Sequence, residues 1–157
     1  MYLNFARILA SQSHATRLKV GAVFVSPDGV MSTGINGMPA GGTNECEIKL
    51  YPKFQDNDTH IEYPFIDTEN GRQYKLVTKS EVSHAEEALF SKLIKQGVST
   101  KGGRIFITHS PCINCAKIIA GSGVTHVHYL NDYRSLDGVV WLMQNDVEVI
   151  KEQDAVI

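Results

Sequence analysis

From residue 84 onward, helical and extended patterns alternate without a break, and that alternation limits the fold more than any other feature of the chain. "SHAEEALFSK" opens an apolar-periodic run over residues 84–96, and Gly97 stands at the C-cap position. "GRIFITHS" reads as a buried strand, and "PCINCAKIIAGSG" as a helix with proline in its first turn and glycines at its end. "VTHVHYL" is a further strand, residues 135–144 a helix and "DVEVI" a last short strand. Upstream, Tyr2, Phe5, Ala6 and Leu9 recur at helical spacing over residues 2–12. "KVGAVFVSPDGVMSTGIN" then places two β-rich runs around Ser26-Pro27-Asp28-Gly29, a hairpin signal. The order α-β-β-α-β-α-β-α-β implies a three-layer α/β/α architecture, with helices on both faces of a mixed central sheet. Residues 37–82 interrupt the pattern with turn residues, prolines and scattered aromatics, and read as a long irregular excursion with a short hairpin near its end. Structureless segments of that length inside a compact domain tend to be functional or interfacial. With no repeat and no linker, residues 1–157 are expected to form a single domain.

The chain has 157 residues, 43% of them hydrophobic and 20% charged, which suits a folded domain with a proper core. A net charge of −2 supplies no global basic field, so nucleic acid is not the expected partner and a small molecule is. "MYLNFARILASQS" lacks a basic segment leading into an apolar one, so a secretory signal is not expected. No stretch approaches the roughly 20 apolar residues of a membrane helix. Two of the three cysteines, Cys112 and Cys115, are three positions apart, which points to metal or redox chemistry in a reducing compartment. A cytoplasmic location is expected.

A lone C-x-x-C is ambiguous between a redox pair and half of a zinc site. Here both thiols fall at a helix start, where the dipole and free N–H groups favour thiolate, and their i, i+3 spacing puts them on one helix face. Two thiolates do not complete a tetrahedral site, and His84, at another helix start, is the natural third ligand. Three protein ligands with a fourth position open are the mark of a catalytic zinc. Zinc lowers the pKa of a water held there from 15.7 toward roughly 7. Such a site needs a group to carry protons, and Glu86 stands two residues after His84. Taken alone, Ser83-His84-Ala85-Glu86 also fits an S-x-x-E capping box, which would spend Glu86 on the helix start. Beside Cys112 and Cys115 the catalytic role is the stronger reading.

His84-Ala85-Glu86, 24 intervening residues and then Pro111-Cys112-Ile113-Asn114-Cys115 resemble the H-x-E…P-C-x-x-C signature of the zinc-dependent cytidine/deoxycytidylate deaminase superfamily. The resemblance implies a cytidine deaminase-like fold and one catalytic Zn2+ per chain. It also implies hydrolytic attack at C4 of a cytosine ring, with Glu86 carrying protons to N3 and to the departing amine. "SHATRLKVGAVFVSPDGVMSTGINGMPAGGTNECE" and "CAKIIAGSGVTHVHYLNDY" are similar to two segments of the deoxycytidylate (dCMP) deaminase family, so the likeness spans residues 2–46 and 82–135. Residues 47–81 match nothing in it. It implies conversion of dCMP to dUMP with release of ammonia, for thymidylate synthesis. Activation by dCTP and inhibition by dTTP, with Mg2+ accompanying a triphosphate, belong to the same family picture, as does a homo-hexamer. Asn36 lies in the family's G-Y-N-G segment, here Gly34-Ile35-Asn36-Gly37 with Ile35 in place of tyrosine, and Tyr133 matches a tyrosine that contacts substrate.

For the phosphate, Arg17, Lys19 and Arg134 are candidates, since arginine binds phosphate bidentately and lysine as a point charge. His14, His60, His109, His126 and His128 carry no ligand spacing, and Cys46 stands without a cysteine partner because Ser13 and Thr16 occupy the region where one would lie. One zinc per chain is expected. Three rivals stand beside this reading. A tRNA adenosine deaminase, or another nucleoside or base deaminase, shares the signature, although a tRNA enzyme wants a more basic surface. A non-catalytic, zinc-stabilised nucleotide-binding protein would leave Glu86 dispensable. A thioredoxin-like protein would leave His84 and Glu86 idle.

Overall fold

The computed structural model describes residues 1–53 and 62–153. Helix α1 (Tyr2–Ala10) presents Tyr2, Phe5, Ala6 and Leu9 on one face and seats them on Val23, Val25 and Phe106. Strands β1 (Gly21–Val25) and β2 (Met31–Ile35) form the expected hairpin, Val25 opposite Met31, with Gly29 at φ 90° in the connection. Every residue of β1 is buried because the strand is covered on both faces. Val23 and Val25 point to α1, whereas Ala22 and Phe24 join the larger core on the other side.

That larger core is built by helix α2 (Ala85–Gln96), strand β6 (Arg104–His109), helix α3 (Ile113–Gly121) and strand β7 (His126–Asn131). Leu89, Phe90 and Leu93 of α2 and Ala116 and Ile119 of α3 pack on Ile105, Ile107 and Val127, all buried. Helix α4 (Asp137–Gln144) adds Leu142 to the same core, and strand β8 (Glu148–Lys151) closes the sheet. Five strands run in the order β2-β1-β6-β7-β8. β1 is antiparallel to β2 and β6, and the last three are parallel, so the sheet is mixed and lies between helical layers as expected. The C-termini of β6 and β7 therefore open toward the starts of α3 and α4, where α/β sheets place their ligands.

The described parts of the excursion, residues 37–53 and 62–82, are more regular than their sequence suggests. Strands β3 (Glu47–Leu50), β4 (Phe65–Ile66) and β5 (Gln73–Thr78) form a second, antiparallel sheet in the order β3-β5-β4. The hairpin expected near the end of the excursion is β4–β5, and β3 is the addition. Buried Asp67 ties this sheet together by accepting hydrogen bonds from the Tyr51 hydroxyl and from Lys49. A small core of Ala15, Cys46 and Val82, with Met38 packed on it, and an antiparallel bridge between Gly37 and Ser83 join the excursion to the rest of the chain. His60 lies outside the described residues. No helix among the described residues is long and apolar enough to cross a membrane.

Candidate active site

Two helix starts face each other beside the sheet. His84 is the N-cap of α2 and Cys112 the N-cap of α3, both in extended backbone, with Cys115 one turn into α3. His84 Nδ1 lies 3.6 Å from Cys112 Sγ and 3.4 Å from Cys115 Sγ. The three ligand atoms all lie within 4.8 Å of one another. Glycines seat both halves. A Cβ at Gly34 would stand 2.1 Å from the Ala85 carbonyl oxygen, and one at Gly138 would stand 2.2 Å from that of Pro111. Each half of the triad therefore rests directly on neighbouring backbone.

The capping box is displaced by one residue from the S-x-x-E reading. Ser83 is engaged upstream, exchanging backbone hydrogen bonds with Gly37 at 2.9 and 3.1 Å. His84 takes the N-cap position, and Glu87, three residues on, accepts its N–H at 2.8 Å. Glu86 is thereby free of the cap and points inward, 4% exposed.

Burial pushes the Glu86 carboxyl up to about 7. Hydrogen bonds from Cys115 and His84 lower the Cys112 thiol to about 3, so it is a thiolate, while sharing that charge and burial push Cys115 well up. The bond to Cys112 raises His84 to about 9. Without metal, the triad holds an imidazolium, a thiolate and a thiol, one charge pair drawn together. One imidazole and two sulfurs form a set of soft, borderline donors, and that chemistry fits zinc.

A cleft opens over the triad. His84, Glu86 and Cys112 line it, and so do Asn36, Arg17, Tyr133 and Arg134. The 133–134 segment is held there because the Tyr133 N–H donates to the buried Ser110 hydroxyl at 2.8 Å. The Arg134 guanidinium sits 5.6 Å from the Tyr133 ring centroid.

Residues 1–131 match the family model of the cytidine and deoxycytidylate deaminase zinc-binding region. The chain belongs to this family. Deoxycytidylate deaminase of Enterobacteria phage T4 is 30% identical over 148 residues, which cover 83% of this chain and 76% of that one. The crystal structure of dCMP deaminase from cyanophage S-TIM5, in complex with dCMP and dUMP, is 35% identical with a TM-score of 0.74, covering 96% of this chain and 93% of that chain. A structure of tRNA:A34 deaminases, 16% identical at a TM-score of 0.54 and covering 96% of each chain, shares the fold alone. Membership of this deaminase family supplies the zinc that the donor set fits.

Within the deaminase cleft, the expected residues differ in how free they are. Asn36 is partly committed, because its Oδ1 accepts the Val20 N–H at 2.8 Å and its Nδ2 donates to the Leu18 carbonyl at 2.7 Å. One N–H and one lone pair remain for a ligand. Lys19 is exposed and does not line the cleft, unlike Arg17 two residues earlier. His126 and His128 lie away on β7, paired with Glu148 and Glu152 at 3.0 and 2.8 Å. Glu47, Thr78 and His109 line the cleft without having been marked as site residues in the sequence. His109 is adjacent to the cysteine motif, but no local pattern marks Glu47 or Thr78; they come from residues 47–81, where the sequence alone showed no likeness but the family model does extend.

Proposed function

We propose that the protein hydrolyses dCMP to dUMP and ammonia. The observation that carries this is a buried carboxyl, Glu86, poised at about 7 beside a His/Cys/Cys triad at the base of a cleft with two arginines in its lining. The likeness to the cyanophage enzyme, solved with dCMP and dUMP, supports the substrate. His84, Cys112 and Cys115 hold the zinc, which when bound supplies the Lewis acidity that activates water near neutral pH. Glu86 accepts one proton from the water as it adds to C4 and passes it to N3, then takes the water's second proton from the C4 hydroxyl and passes it to the amine, which departs as ammonia while C4=O forms. A carboxyl near 7 both takes and returns a proton at working pH. The balance is one water consumed and one ammonia released, with no net redox change. Asn36 offers its remaining donor and acceptor to the sugar or base, Tyr133 borders the ring, and Arg17 and Arg134 meet the phosphate.

Resemblance to the dCMP deaminases further supports dCTP activation, dTTP inhibition with Mg2+ on the triphosphate, a hexamer, and a cytoplasmic role supplying dUMP for thymidylate synthesis. The deciding experiment is ultraviolet-monitored deamination of dCMP by the zinc-loaded protein, with and without dCTP. Turnover is expected, with stimulation by dCTP. A zinc-loaded protein inert toward dCMP in both conditions would overturn the assignment.

A further inference from the structure

Glu47 reaches the cleft from the first strand of the small sheet, and its Oε1 accepts two backbone N–H groups, from Thr16 at 2.8 Å and Arg17 at 3.0 Å. Directly across the β3–β5 ladder stands Thr78, whose Oγ1 accepts a hydrogen bond from Arg17 Nη1 at 3.3 Å. One cross-strand pair therefore grips Arg17 at both its backbone and its guanidinium. The carboxylate is spent on the backbone, not on the guanidinium, where it would have neutralised the cation. Of the five guanidinium donors, the described residues engage one, through a neutral hydroxyl. Arg17 is thus fixed in place yet keeps its charge and most of its hydrogen-bonding capacity for an anion at the cleft.

We propose that Glu47 and Thr78 are positioning residues that hold Arg17 for the substrate phosphate, which makes the small sheet of β3, β5 and β4 a specificity element of the active site. The proposal rests on the dCMP reading above and assigns a task to two residues that no motif of their own marks in the sequence, although the family model spans them. Its physical content is pre-organisation. An arginine on an unclamped loop pays the ordering entropy on binding, whereas a clamped one has paid it in folding.

The test uses the zinc-loaded full chain, with kcat and KM measured for dCMP and for deoxycytidine, which lacks the phosphate. Glu47→Ala is expected to raise KM for dCMP about tenfold or more, the scale of one charge-assisted hydrogen bond, while kcat changes by less than about threefold. Its effect on deoxycytidine stays below about threefold. Glu47→Gln keeps the acceptor oxygen and recovers most of the loss, although it removes a negative charge from the phosphate's surroundings. In an Arg17→Ala background, Glu47→Ala adds nothing further. Thr78→Val, which leaves the carboxylate clamp intact, moves KM for dCMP in the same direction by less, and it serves where Glu47→Ala does not fold. Equal losses on both substrates, a fall in kcat at constant KM, or additivity with Arg17→Ala overturns the positioning role alone. A wild-type protein inert toward dCMP overturns the reading beneath it.

Discussion

Glu87 accepts the backbone N–H of His84 at 2.8 Å, while its neighbour Glu86 is buried against the triad. Two adjacent acids thus divide structural and chemical work between them. Removing the first is expected to loosen the helix start only. Glu87→Ala should lower stability by about 1 kcal/mol, a fall of roughly 2–4 °C in Tm, with kcat changed by less than about threefold. Thermal melts and initial rates read both, and a large loss of kcat without a loss of stability would contradict the division.

Glu86→Gln should behave in the opposite way. Turnover is expected to fall by about 10²–10⁴-fold, while metal analysis still finds one zinc per chain. Burial raises the Glu86 carboxyl from 4.5 to about 7 in the folded protein, so the folded state holds its proton more tightly than the unfolded chain does. The share of zinc-free stability that Glu86 supplies is therefore lost as pH rises from about 4.5 to about 7, and this carboxyl adds no further change above that. Zinc-free Glu86→Gln should escape this loss, being more stable than wild type at pH 8 by up to about 3 kcal/mol and equal to it at pH 4. Chemical denaturation at the two pH values decides the matter.

Zinc uptake should release two protons at pH 7, one from His84 and one from Cys115. His84 is raised to about 9 and Cys115 is pushed well up, so both are protonated without metal, and zinc takes the neutral imidazole and both thiolates. Apparent affinity is then expected to rise about a hundredfold per pH unit near neutrality, tenfold for each displaced proton. Calorimetric titrations in buffers of different ionisation enthalpy count the protons directly. A count of zero would refute the charge state given for the zinc-free triad.

The glycine seats give a third kind of test. Gly34→Ala and Gly138→Ala each force a Cβ within 2.2 Å of a neighbouring carbonyl oxygen, so the backbone carrying His84 and Glu86, or Cys112, must move. Each is expected to lose about 1–3 kcal/mol of stability and about a hundredfold in kcat/KM, the effect of misplacing reacting groups by about 1 Å. Gly121, with nothing within 4 Å of a Cβ, is the control, and Gly121→Ala should be neutral or slightly stabilising.

The triad was legible because its information is local. An i, i+3 cysteine pair behind a proline and a histidine opening a helix each declare a ligand and its orientation. The capping residue was not, because Ser83…Glu86 and His84…Glu87 have the same spacing, and the choice between them rests on Ser83 pairing with Gly37. β3 escaped notice because a four-residue run followed by proline carries little periodicity, and its partner β5 begins more than 20 residues later. Glu47 and Thr78 were invisible for the same reason, since they meet Arg17 across 30 and 61 positions of chain. Lys19 and Arg17 are equal candidates as charges, and only the loop geometry separates them.

Zinc here also joins distant parts of the chain. Cys112 and Cys115 are neighbours even in the unfolded polypeptide, but His84 lies 28 positions from the first of them. An unfolded chain can offer zinc its two sulfurs freely, yet must close that loop to add the imidazole, at an entropic cost on the order of 3–4 kcal/mol by analogy with a covalent cross-link. His84 is therefore the ligand through which zinc distinguishes the folded chain from the unfolded one. A His84→Ala protein could retain some metal on its cysteines and still show a melting temperature that barely responds to zinc concentration.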